Sequence, residues 1–173
     1  MIKWTTVSRW LAPIVTLLLV SGCLPEEPEH PVPAAAEIEP HYVWEGPVNV
    51  EMSGNVAQVS VTVDPGDFAR GGDLWAKAFP YIFIFSPGTQ AAFDENPGLG
   101  GVRVLVRHPN GDVVSQALLS REVLTDLTWN RALNISKEAR EHGTERPARM
   151  QDLVRWGEDH TEFEYNPTYI DNP

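Results

Sequence analysis

The chain has 173 residues, with 24 Asp and Glu against 13 Lys and Arg, a net charge of −11 and a single cysteine. Nucleic-acid phosphates need a basic surface and flat binding to anionic lipid needs a polybasic patch, so this balance argues against both. With one cysteine no disulfide can form within the chain, and packing alone must hold any fold.

At the N-terminus, Lys3 and Arg9 precede an apolar stretch from Trp10 to Val20, and the run Leu19-Val20-Ser21-Gly22-Cys23 closes it. A basic start, an apolar middle and small residues before a cleavage point are the parts of a secretory signal. A membrane-spanning helix needs about 20 apolar residues. Leu11 to Val20 is too short for that and carries Pro13. The run ending at Cys23 resembles the lipobox of bacterial lipoproteins. That resemblance implies removal of residues 1–22, a diacylglycerol on the Cys23 sulfur, and an acyl chain such as palmitate on the new amino terminus. It implies no other cofactor. It also implies anchoring to a bacterial membrane, facing the periplasm or the cell exterior. Leu24 after the cysteine, in place of Asp, resembles lipoproteins sorted to the outer membrane where the organism has one. Removing residues 1–22 takes away two basic residues and no acid, so the mature 151 residues carry −13.

Residues 23–40 then read as the lipidated cysteine and a tether. Pro25, Pro28, Pro31, Pro33 and Pro40 alternate with Glu26, Glu27, Glu29, Glu37 and Glu39. Proline favours extended chain and like charges repel, so an extended, unpacked leader is expected. A single domain over 41–165 should follow, with 166–173 as a tail.

Val48, Val50 and Met52 alternate with polar residues, and Ala57, Val59, Val61 and Val63 repeat the pattern after Ser53-Gly54-Asn55. Period-two alternation across a short turn predicts a hairpin. Asp64-Pro65-Gly66-Asp67 and Arg70-Gly71-Gly72-Asp73 read as loop. Tyr81 to Phe85 is apolar on both sides, which predicts a strand buried on both faces or an edge strand covered by a helix. Ser86 to Gly101 reads as a long loop. Val102, Val104 and Val106 alternate with Arg103 and Arg107, and Pro109-Asn110-Gly111-Asp112 predicts a type I′ turn into a partner strand, Val113 to Leu119. Helices are expected over 130–142, with Leu133, Ile135 and Ala139 partly inward, and over 145–156. Glu158 to Tyr165 looks extended. Strands first and helices afterwards predict α+β: an antiparallel sheet or small β-sandwich followed by two C-terminal helices.

Three groups of residues are candidates for chemistry. His160, Glu162 and Glu164 would share one face of a strand and hold zinc or a similar cation. Asp64, Asp67 and Asp73, and separately Asp94, Glu95 and Asn96, offer oxygen ligands for calcium, although turn formation alone accounts for both. Trp44 and Trp75 are candidate ligand-binding aromatics, set against the ordinary role of large aromatics in a core. Nucleophilic catalysis finds no motif of the G-x-S-x-G kind. The resulting expectation is a lipid-anchored envelope protein with a non-catalytic binding or structural domain. Its partner would be an envelope protein or a cell-wall glycan, not nucleic acid. The alternative is an extracytoplasmic metal-dependent protein using His160, Glu162 and Glu164, with a hydrolase as one option.

Overall fold

The computed structural model describes residues 30–170, apart from the side chains of residues 65 and 67–71. Cys23, the signal, residues 24–29 and residues 171–173 lie outside the described residues. The fold is α+β, with one mixed sheet in the spatial order β1-β2-β3-β4-β5. β1 (Val48–Ser53) and β2 (Val56–Thr62) form the expected hairpin, as do β3 (Gly101–Arg107) and β4 (Val113–Ser120). A short α1 (Ala35–Ile38) precedes β1, and between the hairpins run α2 (Pro65–Ile84) and α3 (Pro87–Glu95). This helical crossover makes β2 and β3 parallel, the pairing that needs a long connection. The sheet is therefore single and mixed, not antiparallel throughout and not a sandwich. α4 (Asp126–His142) and α5 (Pro147–His160) follow β4, but they do not end the fold, because β5 (Glu162–Tyr165) returns antiparallel to β4. In the second hairpin only Gly111 takes a positive φ, 95°, so the turn is not type I′.

Alternation decides which face of the sheet is covered. Ala57, Val59 and Val61 of β2 and Val102, Val104 and Val106 of β3 are fully buried. α2 packs against β3 and β4, and α5 packs on α2 and α4. Tyr81 to Phe85 is buried throughout, as expected, but it is the last turn and cap of α2 and not a strand. A helix segment enclosed on every side shows no 3.6-residue period, so its sequence reads like a buried strand.

Pro80 inside α2 costs a hydrogen bond, since it has no N–H to give the Ala76 carbonyl four residues back. The buried Ser115 hydroxyl on β4 donates to that carbonyl at 2.8 Å. The same substitution recurs at the helix end. Pro87 cannot serve the Phe83 carbonyl, and the buried Thr89 hydroxyl donates to it at 2.7 Å, while Tyr42 reaches Thr89 at 3.0 Å. The Ser86 side chain accepts from the Thr89 amide, so Ser86-Pro87 starts α3 where a loop was expected.

Residues expected in the tether and tail also pack. Ile38 and Ile170 are fully buried. A Cβ on Gly98 would lie 2.0 Å from the Pro31 carbonyl oxygen, so the chain crosses the 96–100 loop there. Asn166 holds the C-terminal segment through its amide N–H to Val114 O and its side chain to Val113 O, both 2.9 Å. Arg121 locks the opposite end of the sheet, beside the 96–100 loop. Its guanidinium donates to the carbonyls of Leu99, Phe93 and Asn96 and lies 4.9 Å from the Phe93 ring centroid.

α5 reaches α2 only because residue 157 has no side chain. A Cβ there would stand 2.4 Å from the ring of Tyr81, which is fully buried and cannot move aside. Gly157→Ala should therefore lower stability by about 1–3 kcal/mol. Urea denaturation of the two proteins measures this, and an unchanged midpoint would contradict the α2–α5 contact.

Candidate functional site

The face of the sheet turned away from α2 is polar. Register places Glu51, Gln58, Arg103, Leu118 and Glu162 in one cross-strand row, and Asn49, Ser60, Leu105, Gln116 and Glu164 in the next. Arg103 and Arg107 sit four residues apart on the central strand, roughly 13 Å at 3.3 Å per residue. The Arg103 guanidinium donates to Gln116 Oε1 at 3.4 Å, and Gln116 Nε2 donates to Glu164 Oε2 at 2.7 Å. Arg107 donates to Ser60 Oγ at 3.3 Å and to Gly111 O at 3.1 Å. Among the described residues neither arginine lies within 4.0 Å of a carboxylate. A trough of about 310 Å³ runs beside Arg107, bounded by Pro47, Asn49, Gln58, Ser60 and Thr62. In so acidic a chain, two unpaired arginines amid amide and hydroxyl groups can take acidic and hydrogen-bonding groups from a partner.

Strand alternation had already turned both arginines outward, so this face was readable. The three candidate zinc ligands do not share one strand: His160 is the last residue of α5 and Thr161 caps it, while Glu162 and Glu164 lie on β5. The His160 ring stacks on Trp156 at 4.0 Å with Nδ1 2.8 Å from the Trp156 carbonyl oxygen. Glu162 and Glu164 do share the open face, where Glu164 is bound by Gln116. Among the described residues no group of three His, Cys, Asp or Glu stands together to hold a metal ion.

The loops proposed for calcium are helix ends instead. Asp64 caps α2, its side chain accepting from the Gly66 amide at 2.6 Å; Asp67 lies in the first stretch of that helix, and Asp73 follows the break at Gly72, where φ is 58° and ψ −156°. Asp94 and Glu95 end α3, where Asn96 Nδ2 donates to the Ala92 carbonyl. Trp44 and Trp75 join one aromatic cluster. Trp44 meets Phe79 and Phe83 edge-on at 5.3 and 5.5 Å, and Trp75 meets Phe79 at 5.6 Å. Trp44 keeps 38% of its surface exposed.

Behind β5 the Tyr81 and Tyr165 hydroxyls lie 2.8 Å apart, and Tyr165 donates to Glu158 Oε1 at 3.1 Å. Burial pushes the Tyr81 phenol up to about 12, and burial with the neighbouring Tyr81 and Glu158 pushes Tyr165 up as well. Tyr42 is raised by burial, and Tyr169 by its 2.6 Å hydrogen bond to Asp112. All four tyrosines of the chain thus hold their protons more tightly when folded. That contribution to stability is complete below the ordinary phenol value near 10 and is lost as pH rises through the folded values. Absorbance at 295 nm at pH 11 should show little tyrosinate in the native protein and nearly full ionisation in denaturant. Equal ionisation in both would contradict the buried phenols.

Comparison with protein-family models, with curated proteins and with solved structures gives no match to this chain.

Proposed function

We propose that the protein is a bacterial envelope lipoprotein, held to a membrane by acyl chains on Cys23, whose domain is a non-catalytic binding module. The observation that carries this reading is the run Leu19-Val20-Ser21-Gly22-Cys23 behind a basic and then apolar start. Two or three acyl chains give stable anchoring, since each buried methylene contributes about 0.8 kcal/mol. The outer membrane, where there is one, is favoured by Leu24.

For the binding half, the open sheet face favours a protein partner over a glycan. Stacking on sugar needs a free aromatic face, whereas Trp44 and Trp75 are engaged with Phe79 and Phe83. Arg103, Arg107 and Gln116 instead offer donors spaced for acidic and amide groups of a polypeptide.

Labelled palmitate should enter the full chain in a bacterial host and not its Cys23→Ala variant. Equal labelling, or none in either, would overturn the anchor. Cross-linking in native envelope should recover a protein partner that the labelled double variant Arg103→Glu, Arg107→Glu loses. Unchanged recovery from that variant would remove the open face from the binding role.

A further inference from the structure

Three polar residues are buried among the described ones: Thr89, Ser115 and Ser136. The first two hydroxyls serve carbonyls that prolines leave unpaired. Ser136 is 2% exposed, and its hydroxyl has no hydrogen-bond partner among the described residues. A serine inside a helix ordinarily returns its proton to the carbonyl three or four residues back. Ser136 does not, and it lines a depression of about 440 Å³ beside α4.

Two kinds of surface meet in that depression. Phe85, Pro87 and Leu133 supply apolar walls, while Lys137 and Arg140 bring cations from the next turn of α4. Glu141 also lines it and stands 4.0 Å from Lys137 Nζ, so it offsets one of the two positive charges. Arg140 has no ion pair among the described residues, which leaves one unanswered charge. Pro87 opens α3, whose N-terminal turn adds partial positive charge to the same rim. Wells of this size with apolar walls and a few convergent polar groups hold small molecules.

We infer that this depression is a binding site for a small amphipathic monocarboxylate. The acid group is held by the Arg140 guanidinium and the Ser136 hydroxyl, and the apolar part lies on Leu133, Phe85 and Pro87. A single unanswered positive charge matches a monoanion better than a dianionic phosphate. The site is separate from the open sheet face and does not depend on the anchor at Cys23.

The probe is octanoate, titrated into the isotopically labelled full chain and followed by amide chemical shifts, with octanol and octyl phosphate as matched controls. Octanoate should shift amides around Ser136 and Arg140 saturably and bind more tightly than either control. Arg140→Gln should weaken it at least about tenfold, the scale of a lost hydrogen bond to a charged group. Ser136→Ala should weaken it several-fold, with the fold unchanged because no partner is left unpaired. Equal binding of octanol, tighter binding of octyl phosphate, or unchanged affinity in Arg140→Gln would overturn the assignment. So would the absence of any saturable shift.

Discussion

A helix enclosed by protein cannot hand an unpaired carbonyl to water, and α2 carries a proline where that problem arises. Leaving such a group unpaired costs about 1–3 kcal/mol. The Ser115 hydroxyl removes the cost at Ala76 only if β4 lies directly beneath that turn. This requirement fixes the placement of α2 across the sheet. With α2 so placed, the Tyr81 ring meets Gly157 of α5, and its hydroxyl meets Tyr165 of β5. The Thr89 bond to Phe83 then ties in α3, and through Tyr42 the N-terminal segment. One backbone defect thus ties the main helical layer to the sheet.

The same defect explains what the sequence concealed. Both hairpins were readable because each strand shows one face to the core and one to water. Tyr81 to Phe85 was not, since a segment buried all round and preceded by proline resembles a central strand. α3 was hidden by its short length and by the Gly and Pro that flank it, although Ser86-Pro87 is a recognisable start. The proline-rich leader suggested free chain, yet Ile38 and Tyr42 are apolar enough to dock it. On α4 the buried stripe runs through Trp129, Ala132, Ser136 and Ala139, while Leu133 and Ile135 are half-buried. A serine on an otherwise apolar stripe was the one local sign of the depression beside it.

Docking of residues 30–41 bears on the proposed anchor. His30 lies seven residues beyond Cys23, a reach of at most about 25 Å. A domain of this charge would be held close to a surface that repels it if the lipids are anionic. On that proposal acyl chains would have to supply all of the attachment, because an acidic surface is not drawn onto an anionic bilayer. The open sheet face, with its arginines on the central strand, offers basic groups in a domain that is acidic as a whole.

The most direct test of this architecture is a double-mutant cycle between Ser115→Ala and Pro80→Ala, read by chemical denaturation. Ser115→Ala alone should cost about 1–3 kcal/mol, because the Ala76 carbonyl loses the hydroxyl that stands in for the missing Pro80 amide. In the Pro80→Ala background the restored amide can serve that carbonyl, and the cost of Ser115→Ala should fall by more than half. An equal cost in both backgrounds would show that the hydroxyl does not replace the bond lost to proline, and would contradict the account.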